Sequence, residues 1–466
     1  MTLTSAAVVP AARLAQCPDG HPDLLVRGGG RRLRGEVTVP GFKHSMVTVL
    51  AAAASADALV RITNVPDIVE TGVLTSLLRD AGARVTVDGD VLELDASGIS
   101  DATLDAGLAA RIHGVVYLIP ALLHRTGHVV VPANGGCQIG DGPGLARPVS
   151  QYLSVLRSFG ATAVTARNGD LQVSATRLRG CEIDLLDHTT DRQLKTGPHY
   201  SGASKMALLL AAVSTGTSTL RNLYPKPDVT DLVGVLQQLG AEIERPAEGT
   251  VVVHGRGGAD LRTPVSHALV PDLIEVVTWI CAGATAAAEP LVVRADHLGR
   301  ALTALTPELD ALRVMGVDFE TGDRTVVVHP AERLRPIELT IASHGVYSDS
   351  QPFLVLLAGL AEGRSRFTET VWANRFSYLA LLEELGMRVG RTGRSAVVDG
   401  RCPPSAPGRE LVAPDLRGAA VALLAALTVP GPTVLSGTHH LARGYADLPG
   451  ALTALGADIV AVPSRR

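Results

Sequence analysis

Leu236-Gln237-Gln238-Leu239-Gly240 decides the fold, because the same helix ending recurs along the chain. The other copies are Leu77-Leu78-Arg79-Asp80-Ala81-Gly82, Leu156-Arg157-Ser158-Phe159-Gly160, Leu312-Arg313-Val314-Met315-Gly316, Leu382-Glu383-Glu384-Leu385-Gly386 and Leu452-Thr453-Ala454-Leu455-Gly456. Successive glycines lie 78, 80, 76, 70 and 70 residues apart. A glycine just past an amphipathic run is the usual left-handed C′ residue of a helix. Strand patterns follow each ending. Arg84-Val85-Thr86-Val87 leads into a hairpin through Asp88-Gly89, and Val251-Val252-Val253 runs into a Gly255-Arg256-Gly257-Gly258 turn. The chain therefore reads as six repeated α/β units. Each is too large for a solenoid repeat and too small for a full domain, so several must share a core. A 3 + 3 division gives two similar domains with a cleft between them, where ligands preferentially bind.

The bulk composition narrows the class. Apolar residues make up 46% and aromatics 3% of 466 residues, so the core is aliphatic and alanine-rich. Net charge is −4 with no basic tract, which disfavours nucleic acid as a partner. Cys17, Cys137, Cys181, Cys281 and Cys402 are odd in number and widely spaced, pointing away from a disulfide framework or a zinc site and toward a reducing cytoplasm. Residues 1–22 read as a disordered tail without the features of a signal peptide. The longest apolar runs, near Gly418–Val429 and Met206–Val213, are too short to span a bilayer and read as buried helices.

The chemistry-bearing residues fall at the unit junctions. Asn134 to Pro148 is a glycine-rich loop between the run Val129-Val130-Val131 and a helical pattern from Val149 to Phe159. It holds one thiol, Cys137, and one guanidinium, Arg147. It reads either as a surface loop with an incidental cysteine or as a site where cations and backbone N–H groups tune a thiol. Lys43 stands beside a helix start after Pro40-Gly41, a position that favours anions. Arg111-Ile112-His113-Gly114 opens another helix. Tyr347-Ser348-Asp349-Ser350-Gln351 opens a third, with Asp349 either a cap or a carboxylate base. Asn374-Arg375, Asp415-Leu416-Arg417 and Arg443-Gly444-Tyr445 repeat the pattern. Such cations suit a small polyanion, since the arginine fork matches carboxylate and phosphate. His439 and His440 are adjacent and make a poor metal pair. No nucleotide-binding glycine motif of the P-loop or dinucleotide type is found.

In order along residues 24–463, these segments resemble the enolpyruvyl transferases, in particular the UDP-N-acetylglucosamine 1-carboxyvinyltransferase branch. The resemblance rests on Gly41-Phe42-Lys43, Asn64-Val65-Pro66-Asp67, Gly135-Gly136-Cys137-Gln138-Ile139-Gly140, Arg147-Pro148-Val149, Gly202-Ala203-Ser204, Ser348-Asp349-Ser350-Gln351, Thr368-Glu369-Thr370 with Asn374-Arg375-Phe376, Asp415-Leu416-Arg417 and Arg443-Gly444-Tyr445. It implies two inside-out α/β barrel domains of three units each, one from residues 23–42 plus 266–466, the other from residues 43–265 with the Cys137 loop. It implies transfer of the enolpyruvyl group of phosphoenolpyruvate to an acceptor hydroxyl, by addition and then elimination of phosphate. Lys43, Arg147, Arg417 and Arg443 would hold phosphoenolpyruvate. Cys137 would act as acid, nucleophile or both, and Asp349 would take the acceptor proton. Arg111, Pro148, Val149, Ser150, Tyr200, Gly202, Asn374 and Arg375 would face the acceptor. No cofactor and no metal is implied.

The departures concentrate on the acceptor side. His44 stands where Asn is usual. Asp141-Gly142-Pro143-Gly144-Leu145 looks inserted. Ser150 replaces an Asp that contacts uracil, and Pro198-His199-Tyr200 replaces a segment whose Lys meets the acceptor diphosphate. That pattern fits a changed acceptor. It is similar to the enolpyruvyl-UMP synthases of nikkomycin- and polyoxin-type pathways, and makes a uridine nucleotide such as UMP the expected partner. UDP-N-acetylglucosamine in peptidoglycan synthesis is the alternative. The shikimate-pathway member fits less well because its own segments are not visible here, and RNA 3′-phosphate cyclase because it shares the repeated unit but not the Cys loop or the Arg-Gly-Tyr ending. A non-catalytic phosphometabolite-binding protein would keep the cations but lose Cys137 or Asp349; both are present.

Overall fold

The computed structural model describes residues 21–133, 135, 139–140 and 148–464. The chain divides into two compact units: an inserted unit, Gly41–Val270, and a terminal unit, Met1–Pro40 with Pro271–Arg466. The chain passes from one to the other after Pro40 and returns after Val270, where the sequence pattern suggested 42 and 265.

The six glycines behave as local chemistry requires. Gly82, Gly160, Gly240, Gly316, Gly386 and Gly456 have φ of 108°, 86°, 113°, 86°, 97° and 105°, a region that side-chain-bearing residues avoid. The first five helix ends feed antiparallel hairpins, and Arg84–Asp88 pairs with Val91–Asp95 so that Asp88 faces Val91 across the turn. The strand Thr250–Arg256 extends further than its glycines indicated, and the bend falls at Gly257 and Gly258, with φ of 69° and 74°.

The sheets share one plan. In the inserted unit, Val265–Ala268 runs parallel to Leu59–Thr63, which pairs antiparallel with Val91–Asp95. In the terminal unit, Glu338–Ile341 runs parallel to Arg364–Glu369, which pairs antiparallel with Ser395–Asp399. In the last sheet the N-terminal strand Asp23–Gly28 takes the place that a hairpin strand fills in the others, between Gly431–Ser436 and Ile459–Val462. Residues 1–20 of the expected tail lie outside the described residues. His21 and Pro22, counted in that tail, are packed: Thr438 Oγ1 donates to the Pro22 carbonyl at 2.8 Å, because the strand they lead into is fixed in a sheet.

Each unit wraps three sheets around three buried helices. In the inserted unit these are Lys43–Ser55, Ile119–Thr126 and Tyr200–Val213. In the terminal unit they are Leu273–Ala286, Gln351–Leu360 and Leu416–Thr428. Every residue of Leu273–Ala286 is buried. A helix apolar on all sides has no solvent face and must lie inside. Strands such as Val91–Asp95 instead alternate, with Leu92 and Leu94 inward. This is the inside-out α/β arrangement: helices in the core, sheets around them. Among the described residues, no helix is long and apolar enough to cross a membrane.

Glu275 buries a carboxyl on the core helix Leu273–Ala286. Glu275 accepts from Trp279 Nε1 at 3.1 Å. Burial first, and then the charge of Asp272, pushes it up to about 8. The folded state thus holds a proton there that the unfolded chain sheds near the ordinary 4.5. Its contribution to stability is full below that value, falls as pH rises toward 8, and is gone above it. Glu275→Gln should remove this component. In denaturant titrations from pH 5 to 9, the variant's stability relative to wild type should grow by up to about 1.4 kcal/mol per pH unit and level off above pH 8. A difference independent of pH would contradict the assignment.

Gly135 is also constrained. A Cβ there would lie 1.8 Å from the Ala110 carbonyl oxygen and 2.7 Å from its carbon. Neither is a side chain that can turn away. Gly135→Ala should cost about 1–3 kcal/mol by overpacking and change the rate at which iodoacetamide alkylates Cys137. An unchanged melting temperature and alkylation rate would show that the loop does not need this approach.

Candidate active site

In the terminal unit the three core helices pack mutually and bring their N-terminal ends together. Asp272 caps the first, accepting from the Ile274 and Glu275 amides at 2.9 and 3.0 Å. Asp415 caps the third, accepting from the Arg417 and Gly418 amides, both at 2.9 Å. Such carboxylates satisfy orphan N–H groups and complement the helix dipole. Asp349 is different. The N-cap of Gln351–Leu360 is Ser350, so the capping alternative for Asp349 is corrected. Its carboxylate faces two guanidiniums instead. Arg375 Nη2 pairs with Oδ1, and Arg417 Nη2 lies 3.3 Å from Oδ2. The side chains of Arg375 and Arg417 are 2% and 3% exposed, that of Asp349 25%. Asp349 is therefore the one member of the trio that reaches solvent, at the mouth of a buried cationic floor.

Arg417 is anchored from behind. Its Nη1 donates to the Tyr445 hydroxyl at 3.0 Å, and that hydroxyl lies 2.8 Å from Thr278 Oγ1. Burial pushes the Tyr445 phenol up to about 12, so it stays neutral. Arg443 closes a short 3₁₀ turn, Thr438–Arg443, and is 9% exposed. Burial, then His439, then Arg443 push His440 down to about 4, so it carries no charge at neutral pH. Among the described residues, the cations on this floor are arginines.

Arg375, expected to face the acceptor, lies on the same floor. It is buried, with Nε donating to the Ser348 carbonyl at 2.9 Å, because the chain folds it under the Asp349 turn. Asn374, half-buried, precedes the turn Arg375–Tyr378.

In the inserted unit, Lys43 begins its helix and pairs with Glu70 at 2.5 Å. Glu70 is 2% exposed, in the first turn of Val69–Asp80. Lys205 and Asp228 form a second pair at 2.5 Å, both side chains 5% exposed. The charge of Lys205, like that of His44 nearby, favours ionised Asp228 against its burial, and its carboxyl is held below the ordinary range. The Lys205 ammonium also stands 5.5 Å over the Tyr117 ring, whose hydroxyl meets that of Tyr152 at 3.3 Å. His113 Nε2 lies 3.2 Å from the same Tyr152 hydroxyl.

Two further residues expected to face the acceptor are packed within this unit. Tyr200 is wholly buried and donates to the Asn222 carbonyl at 2.7 Å. Gly202 is buried, and a Cβ on it would meet the Tyr152 hydroxyl at 2.8 Å. Both pack the helix Tyr200–Val213 into its unit. Arg111 and Ser150 are exposed, Pro148 and Val149 half-buried. Cys137 and Arg147 lie outside the described residues. Of the other thiols, burial pushes Cys181 up to about 11 and Cys281 higher still, so neither is a ready nucleophile.

Sequence reasoning missed Glu70, Lys205 and Asp228. A signal existed for one: Lys205 stands alone in the apolar run Gly202–Leu208, and a buried lysine needs a partner.

Residues 28–452 match the family model for EPSP synthase (3-phosphoshikimate 1-carboxyvinyltransferase). UDP-N-acetylglucosamine 1-carboxyvinyltransferase 3 of Caldanaerobacter subterraneus subsp. tengcongensis is 32% identical, over 94% of this chain and 99% of its own. The second such enzyme of Geobacillus kaustophilus is also 32% identical, over 92% and 95%. The crystal structure of the enolpyruvyl transferase NikO from Streptomyces tendae superposes with a TM-score of 0.90 at 49% identity, over 96% of this chain and 100% of that one. EPSP synthase from Acinetobacter baumannii shares the fold, with a TM-score of 0.70 at 16% identity. Helices enclosed by sheets, carboxylates and arginines at the helix starts, and these likenesses converge: the chain belongs to the EPSP synthase family and is an enolpyruvyl transferase, taking phosphoenolpyruvate and a hydroxyl-bearing acceptor.

Proposed function

We propose that the acceptor is a uridine nucleotide lacking N-acetylglucosamine, UMP in the first instance, and that the product serves nucleoside-antibiotic biosynthesis. The observation that carries this reading is the uneven distribution of change. Lys43, Arg147, Arg417, Arg443, Cys137 and Asp349 keep the types that phosphoenolpyruvate chemistry needs, whereas Ser150 stands for the Asp of the acceptor side and Pro198-His199-Tyr200 for its Lys-bearing segment. Loss of polar partners on one side changes which acceptor the site prefers. The 49% identity to NikO, against 32% to the UDP-N-acetylglucosamine enzymes above, supports the same direction.

In this reading, Lys43, Arg147, Arg417 and Arg443 neutralise the carboxylate and phosphate of phosphoenolpyruvate. Asp349 removes the proton from the acceptor hydroxyl as its oxygen bonds to C-2. C-3 gains a proton, for which Cys137 is the donor candidate. Loss of a C-3 proton and departure of phosphate from C-2 then restore the double bond. The Asp349 carboxylate is suited to act as that base, being accessible on one edge and oriented by two arginines on the other.

Phosphate release should be measured with UMP, UDP-N-acetylglucosamine and shikimate 3-phosphate in parallel. Release with UMP alone is expected. Release with UDP-N-acetylglucosamine and none with UMP would establish the cell-wall reaction instead. Phosphoenolpyruvate binding without turnover on any acceptor would favour a binding protein for these three. Asp349→Asn should lower kcat by about 10²- to 10⁴-fold, as for loss of a general base, while phosphoenolpyruvate still binds in calorimetry. A wild-type rate in that variant would end the assignment of Asp349 as base.

A further inference from the structure

The reaction reading uses Asp349 and its arginines but leaves two carboxylates beneath them without a role. Glu308 and Glu369 are both 0% exposed. They hydrogen-bond the same short segment at different residues. That segment is a β-turn, closed by the Ser350 amide donating to the Tyr347 carbonyl at 3.0 Å, with Ser348 and Asp349 at its corners.

Glu308 lies in the first turn of Thr306–Met315, where the helix dipole favours its charge. Its Oε1 accepts from the Tyr347 amide at 2.6 Å and from Ser350 Oγ at 3.3 Å. Glu369 ends the strand Arg364–Glu369. Its Oε2 accepts from Ser348 Oγ at 2.8 Å and Gln351 Nε2 at 3.0 Å. Its Oε1 accepts from the amides of Val371 and Trp372 at 2.7 and 3.1 Å, which fixes the start of the segment that delivers Arg375. Tyr347, Ser348, Ser350 and Gln351 are thus each tied to a buried carboxylate. Asp349, between them, is turned toward the arginines. A buried carboxylate is costly unless its hydrogen bonds are made, so two of them on one turn hold that turn rigidly.

We propose that Glu308 and Glu369 are positioning residues for the reaction: they clamp the Tyr347–Ser350 turn and fix the direction in which Asp349 presents its carboxylate, without touching either substrate. The proposal rests on the reading of Asp349 as the base. Proton removal needs the carboxylate oxygen within hydrogen-bond reach of the acceptor hydroxyl, and a displacement of about 1 Å costs about 10²-fold. The clamp therefore acts on kcat and not on ligand affinity.

The test is a set of variants read in steady-state and single-turnover phosphate release. Glu308→Ala should lower kcat by about 10- to 100-fold and leave KM for phosphoenolpyruvate and acceptor within about threefold. Glu308→Gln keeps an oxygen that can accept from the Tyr347 amide, and should recover most of the rate. In an Asp349→Ala background, Glu308→Ala should change the residual rate by less than about twofold, because its effect passes through Asp349. If Glu308→Ala fails to fold, Ser350→Ala and Ser348→Ala each remove one anchor and should show the same pattern in milder form. Effects that multiply with Asp349→Ala, a loss expressed in KM, or a folded Glu308→Ala with wild-type kcat would overturn the proposal. A wild-type rate in Asp349→Ala alone would instead overturn the base assignment, and the two failures are separable.

Discussion

Two guanidiniums buried to within a few percent of complete exclusion from water set the terms for the terminal unit. A buried charge costs several kcal/mol unless it is paired and hydrogen-bonded. Arg375 and Arg417 meet that cost with one shared carboxylate, Asp349, and with the Ser348 carbonyl and the Tyr445 hydroxyl. The remaining architecture follows from keeping those partners in place. Asp415 caps the helix that carries Arg417, Thr278 steadies Tyr445, and the turn holding Asp349 is pinned from below. Asp349 keeps an exposed edge, so the carboxylate that neutralises the arginines is also open to solvent.

The inserted unit solves the same problem with lysines. Lys43 pairs with Glu70 and Lys205 with Asp228, each between elements that the sequence separates. Lysine is a compact point charge and needs less geometric matching than arginine. The two units thus carry different chemistry on the same scaffold. One has arginines around an aspartate, in planar forks suited to carboxylate and phosphate. The other has single ammonium groups and a cluster of aromatic hydroxyls around Tyr152. Repetition of the fold did not require repetition of the site.

Closure of the terminal unit depends on a contact no repeat supplies for itself. The strand Asp23–Gly28 completes the last sheet between segments more than 400 residues further along. A missing strand would leave a sheet edge unpaired, an invitation to pair with another chain. The N-terminal strand removes that edge and ties the start of the chain to its end.

The sequence by itself determined what is local. Six glycines past six helices needed only the left-handed conformation that a C′ residue adopts, so Gly82 through Gly456 gave the repeat count directly. Helices apolar on every side, such as Leu416–Thr428, declared themselves buried. The Asp349 segment was legible as a helix start with a carboxylate. Tertiary structure decided what depends on partners distant in sequence. Whether Asp349 caps a helix or faces arginines turns on Arg417, 68 residues away. Whether Tyr200 and Gly202 face a ligand or the core turns on Asn222 and Tyr152. Residue type and spacing fix conformational preference along the chain, but a side chain's charge is satisfied in space, by whichever element the packing brings beside it.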